Sequence, residues 1–193
     1  MKNKYVKRSR ISEAKFRELL RFFSLDLTST QIAKITGLNR NTVNRYLHEI
    51  RCRIEHTNHV KSSSIISPEP DTADDPICML IREERGVIFT AVIGSNTLFS
   101  LDLQDIGFDL VINTADESHR FIGFRNPDPE MHRKKINRIE NFWGFACLRL
   151  SKFKGLHPAT VRLHVAECAF RYNHRKDDLY PILLQIIRNN PLF

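Results

Sequence analysis

Apolar residues recur at helical spacing along the first third of the chain. From Ile11 to Leu25, Phe16, Leu19, Leu20 and Phe23 share one face, with Ser12 placed to cap the start. A shorter helix follows, capped by Thr28 or Thr30 and carrying Ile32, Ala33 and Ile35. Gly37 suits the left-handed turn that ends it, Leu38 is a turn hydrophobe, and Asn39 caps a second helix reaching about Ile54. That helix is expected to bury Val43, Leu47 and Ile50. Short helix, Gly turn and longer helix together form the helix-turn-helix pattern, whose second helix enters the major groove by its N-terminal residues. Here those residues are Arg40, Asn41, Asn44 and Arg45. Arg can pair bidentately with guanine and Asn with adenine, so the residue types suit base reading. Arg51 and Arg53, further along, are placed to touch phosphate or to stay solvated.

The pattern then changes. Residues 57–75 are rich in Ser, Pro and Asp and read as a linker. Two β-like runs, Ile77–Arg82 and Val87–Ile93, flank a turn at Glu84–Arg85–Gly86. Leu98–Ile106 suggests a short helix, and Phe108–Thr114 an apolar strand with Asp116 just beyond its end, where open α/β sheets place chemistry. A charged, Pro-containing loop, Arg125–Lys135, leads into an amphipathic helix over Ile136–Gly155. Its apolar stripe is Ile139, Phe142, Trp143, Ala146, Leu148 and Leu150, and one acid, Glu140, sits among the aromatics. Further helices are predicted over Pro158–Arg171 and Leu179–Ile187. The expected fold is α+β: an all-α helix-turn-helix domain at 1–56, the 57–75 linker, and an α/β domain with a helical C-terminus at 76–193.

Charge adds a division that the apolar pattern does not show. Met1–Lys61 carries 14 Lys and Arg against 5 Asp and Glu, Ser62–Met131 carries 4 against 13, and His132–Phe193 carries 12 against 4. Basic ends around an acidic middle suit a protein that grips a polyanion at two places and holds carboxylates between them. Around Glu140, Arg138, Arg149, Lys152 and Lys154 are placed to hold DNA phosphates. The four cysteines show neither CxxC spacing nor a nearby His partner, which argues against a zinc finger and a disulfide framework. No apolar run approaches the ~20 residues needed to cross a bilayer, and the basic N-terminus lacks the apolar core of a secretory signal. The expected location is the cytoplasm, in association with the nucleoid.

No phosphate-cradling glycine loop, nucleophile elbow or His-rich metal motif is present, so the chemistry candidates are carboxylates. Asp71, Asp116 and Glu140, drawn from distant positions, could hold two Mg²⁺ or Mn²⁺ ions, hard cations that favour oxygen ligands. Two such metals activate water or a 3′-hydroxyl for in-line attack on a phosphodiester.

INRIENFWGFACLRLSKFKG followed by VRLHVAECAFRYNHR, together with ISEAKFRELLRFF…LTSTQIAKITGLNRNTVNRYL, resembles the small bacterial insertion-sequence transposases of the DDE superfamily. The resemblance covers Ile11–Glu55 and Lys135–Leu192 and implies a truncated RNase H-like catalytic domain, a DDE metal triad, and cut-and-join chemistry on transposon ends. Carried over by position, Glu140 is the third acid, and Asn137 matches a polar residue that usually precedes it. Asp71 lies in SPEPDT, and Asp116 stands one place beyond the directly aligned Ala115. Cys147 occupies a position where the family often has Lys. The implied partners are double-stranded DNA, as transposon terminal repeats and target, and a second copy of the chain on that DNA. The other class open to this sequence is a non-catalytic helix-turn-helix DNA-binding protein, either a transposase remnant or a regulator.

Overall fold

The computed structural model describes residues 3–7, 9–61, 77–94, 109–113, 119–121, 129–153 and 158–193. These fall into two compact units. The first comprises residues 1–57 with 174–193, the second residues 58–173.

In the first unit α1 (Glu13–Ser24) starts where Ser12 accepts a hydrogen bond from the Lys15 N–H. Helix α2 (Ser29–Thr36) has a reciprocal cap: the Thr28 hydroxyl accepts from the Gln31 N–H, while the Gln31 side chain accepts from the Thr28 N–H. It stops at Gly37, whose φ of 70° is left-handed. Asn39 then caps α3 (Arg40–Lys61) by accepting from the Asn41 N–H at 2.8 Å. Helix α3 therefore runs several residues past Ile54, into the stretch expected to be linker.

Phe16, Leu19, Leu20, Phe23, Ile32, Val43, Tyr46, Leu47, Ile50 and Ile54 are buried. Ile35, expected on the buried face of α2, is instead exposed. The chain's end completes this unit. The helix Leu179–Asn189, called α6 below, packs on α1 and buries Leu183 and Ile187. The expected boundary put residues 174–193 in the second domain, but packing places them with the first.

The second unit is built on a four-stranded sheet from β1 (Ile77–Glu84), β2 (Val87–Gly94), β3 (Leu110–Asn113) and β4 (His119–Phe121), in the order β2-β1-β3-β4. All three pairings are antiparallel. With helices gathered around an antiparallel sheet, the architecture is α+β. The rule that places chemistry beyond parallel strand ends gives no support to Asp116 here. A two-residue turn, Arg85–Gly86, joins β1 to β2 with φ of 51° and 90°, the left-handed pair that a tight hairpin requires.

Helices α4 (Pro129–Leu150) and α5 (Pro158–Asn173) both begin on a proline, whose missing N–H is harmless in a first turn. Residues 129–135, expected as loop, are thus the first turns of α4. Ile139, Phe142 and Ala146 of α4 meet Val165, Cys168, Ala169 and Tyr172 of α5 over Met79, Ile81, Ile88, Leu110 and Ile112 of the sheet. Leu148 does not join them and is 76 % exposed. The helix suggested over 98–106 lies outside the described residues. No described helix is long and apolar enough to cross a membrane.

Candidate nucleic-acid interface and the placement of the acids

Spacing along α3 decides which residues meet solvent. Val43, Tyr46, Leu47, Ile50 and Ile54 are buried, and the intervening Arg40, Asn41, Asn44 and Arg45 are exposed. The four therefore share the outward side of the first two turns, directly after the Gly37 turn. No carboxylate pairs with Arg40 or Arg45 among the described residues. The Arg45 guanidinium carbon instead lies 4.4 Å from the centre of the Phe193 ring. Arg51, half-buried, lies 5.8 Å from the Phe23 ring centre, tucked towards α1. Arg53 is spent inside the unit, contrary to expectation: its Nε and Nη2 each donate at 3.1 Å to the carbonyls of Asn190 and Pro191. That contact links positions 137 and 138 residues apart, which no local pattern can show.

One further group on α3 escaped the sequence reading. His48 is exposed one turn beyond Asn44, and its Nε2 lies 3.7 Å from the Cys52 Sγ. Cys52 therefore has a His neighbour after all, because i and i+4 residues meet on a helix. Cys52, Cys78, Cys147 and Cys168 form no disulfide.

Glu140 is exposed on α4. Asp71, Asp116 and Lys154 lie outside the described residues. Among the described residues no group of three or more His, Cys, Asp or Glu is placed to hold a metal ion. Lys152 is exposed just past the end of α4.

Two of the cations chosen around Glu140, Arg138 and Arg149, are already engaged, as is Lys135 nearby on α4. Arg138 pairs with Glu83, a β1 carboxylate only 7 % exposed that also accepts from the Gly86 N–H at 2.6 Å. Lys135 pairs at 2.8 Å with Asp109, which also accepts from the Glu83 N–H. A groove of about 480 Å³ at the β1–β2 turn is lined by Arg85, Lys134, Lys135 and Arg138. It looks basic until the pairs are counted, since Lys134 pairs with Glu130 and the other two with Asp109 and Glu83. Glu84, also on its wall, pairs with Arg82 at 3.1 Å, which leaves Arg85 as the one lining cation without a carboxylate partner among the described residues.

Arg149 is corrected more sharply. It is 4 % exposed, and its Nη2 donates at 2.6 Å to Glu167, which is fully buried and also accepts from Arg171 at 2.8 Å. A guanidinium held there is out of reach of a DNA phosphate; its work is structural. Beside it, burial pushes the Cys168 thiol up to about 11, with Arg149 pulling the other way.

The chain is similar to an uncharacterized transposase-like protein of Haemophilus influenzae, with 27 % identity over 122 residues that span 63 % of this chain and 90 % of that protein. Neither a family description nor a solved structure matches the chain.

Proposed function

We propose that the protein is a transposase-related DNA-binding protein whose α2–Gly37–α3 segment is a helix-turn-helix. One observation carries this reading: Arg40, Asn41, Asn44 and Arg45 stand exposed together on the first turns of α3, immediately after a left-handed glycine turn. Base-edge donors and acceptors at the start of a helix fit the major groove. The similarity to the transposase-like protein supports the same direction. The DNA would be the terminal repeats of a mobile element and its target, bound by two copies of the chain.

In the same reading the second unit is the remaining part of an RNase H-like domain, with Glu140 as one acid of a DDE site. An exposed carboxylate on a rigid helix is available as an oxygen ligand for Mg²⁺ or Mn²⁺. It is one donor, so Asp71 and Asp116 would have to supply the others. Bound metal would polarise a phosphodiester and activate the attacking oxygen.

The test has two stages. Random-sequence duplexes are first enriched on the full chain, and affinities for enriched and unrelated DNA are compared at fixed salt. DNA carrying the enriched site is then incubated with Mg²⁺ or Mn²⁺, beside Glu140→Gln. Sequence-selective binding with metal-dependent cutting that Glu140→Gln abolishes is the expected result. Selective binding without cutting removes the catalytic part and leaves the DNA-binding part. Absence of selective binding sinks the whole reading.

A further inference from the structure

Four aromatic rings run in a row through the first unit. Tyr5 stacks on Phe16 at 5.9 Å, Phe16 tilts against Tyr46 at 5.9 Å, and Tyr46 meets the edge of Phe193 at 5.6 Å. The first three are buried, whereas Phe193 is 41 % exposed. The row therefore ends on a ring with a firm backing and an accessible side. Over that ring lies the Arg45 guanidinium, 4.4 Å from its centre and closer than the 5.8 Å to Tyr46.

The backbone leading to Phe193 is tied down. Leu192, fully buried, bridges Val6 in parallel fashion; its N–H donates to the Tyr5 carbonyl at 3.0 Å and its carbonyl accepts from the Lys7 N–H at 2.9 Å. Arg53 holds the carbonyls of Asn190 and Pro191 from α3 itself. Three successive residues before the ring are thus fixed to the N-terminal arm and to the helix that carries Arg45.

We propose that Phe193 is a positioning residue for Arg45, setting the aim of its guanidinium for a base edge in the major groove. The proposal rests on α3 being the DNA-contacting helix. An Arg side chain that must pair bidentately first loses its rotamer freedom, and a support that orders it before binding removes part of that cost. Stacking uses the flat face of the guanidinium, and the N–H donors lie around its edge, so a stacked Arg can still donate. Arg40 has no such ring contact among the described residues. The same DNA face thus holds one ordered and one unsupported arginine, and Arg45 is the one that the far end of the chain prepares.

The experiment uses the full chain, a duplex enriched from random sequence on the wild type, and an unrelated duplex of equal length. Phe193→Ala is expected to weaken binding to the enriched duplex by roughly three- to tenfold while leaving the unrelated duplex unchanged, the range set by ordering one long side chain. Phe193→Leu, which keeps apolar bulk but lacks the ring, should show the same loss with wild-type thermal unfolding. Phe193→Tyr should restore discrimination. The double variant Arg45→Ala with Phe193→Ala should discriminate no worse than Arg45→Ala alone. Undiminished discrimination in Phe193→Ala and Phe193→Leu, tighter binding that would mean the ring covers Arg45, or an equal loss on both duplexes would each overturn the proposal. If Arg45→Ala itself leaves discrimination intact, the α3 reading fails and this one with it. If Arg45→Ala loses discrimination and the Phe193 variants do not, only the role of Phe193 falls.

Discussion

Helices α3 and α4 are both 22 residues long, and each carries five Lys or Arg and two Glu. Their formal charges are equal, yet the structure uses those charges differently. On α4, Lys135 and Arg138 are paired with Asp109 and Glu83, and Arg149 is buried against Glu167. On α3, Arg40 and Arg45 stand in the first turns with no carboxylate partner among the described residues. A basic helix thus keeps its cations available only where the rest of the fold withholds acids from it. Counting cations around Glu140 suggested a phosphate-binding face; Glu83 on β1 and Glu167 on α5 take Arg138 and Arg149 out of it, while Lys152 stays exposed.

The largest effect is expected from removing residues 174–193. That deletion takes Leu183, Ile187 and Leu192 out of the first unit's core and leaves Arg53 without its carbonyl partners. The α3 face should lose its order and its DNA affinity together, as followed by thermal unfolding and by duplex binding. A deletion variant that unfolds and binds like the full chain would show that the face needs only its local helices.

Next in size is Glu167→Ala. It leaves Arg149 and Arg171 buried without their shared carboxylate, a loss of about 3–5 kcal/mol in denaturant unfolding. Glu140→Ala on the exposed face of the same unit should stay within about 0.5 kcal/mol. Equal effects from the two would mean that the buried pairs do not distinguish the helices.

A third comparison sets Arg40→Ala and Arg45→Ala against Arg138→Ala. The first two should each remove about 1–3 kcal/mol of discrimination for preferred DNA. Arg138→Ala should register in stability, by about 1–3 kcal/mol, because Glu83 is left buried without its cation. A uniform fall in affinity for all DNA in the α3 variants would demote Arg40 and Arg45 to phosphate contacts.

The smallest effect concerns Cys168. Burial pushes its thiol up to about 11 in the folded chain from an ordinary value of 9.0, so the folded state keeps a proton that the unfolded state gives up between those values. The associated stability is present below pH 9 and is lost as pH rises towards 11. Cys168→Ala should flatten that part of the pH–stability curve relative to the wild type. Thiol reagents at neutral pH should label exposed Cys147 well before buried Cys168.

What the sequence alone determined were the features set within a few residues. Ser12, Gly37, Asn39 and, of the two threonines open for α2, Thr28 act at the helix ends where capping chemistry placed them, since a cap is satisfied by backbone two to four positions away. The exposure of Arg40, Asn41, Asn44 and Arg45 follows from the 3.6-residue period that buries Val43, Leu47 and Ile50, a set that Tyr46 joins in the fold. The same period, read locally, put Leu148 in the stripe of α4 and left Arg149 outside it. The fold did the reverse, because Glu167 on α5 supplies the partner that makes a buried arginine tolerable. Only tertiary structure could return residues 174–193 to the N-terminal helices, give Arg53 to the carbonyls of Asn190 and Pro191, and set Phe193 against Arg45. Those contacts join residues more than a hundred positions apart, and they arise from packing and pairing that no local spacing encodes.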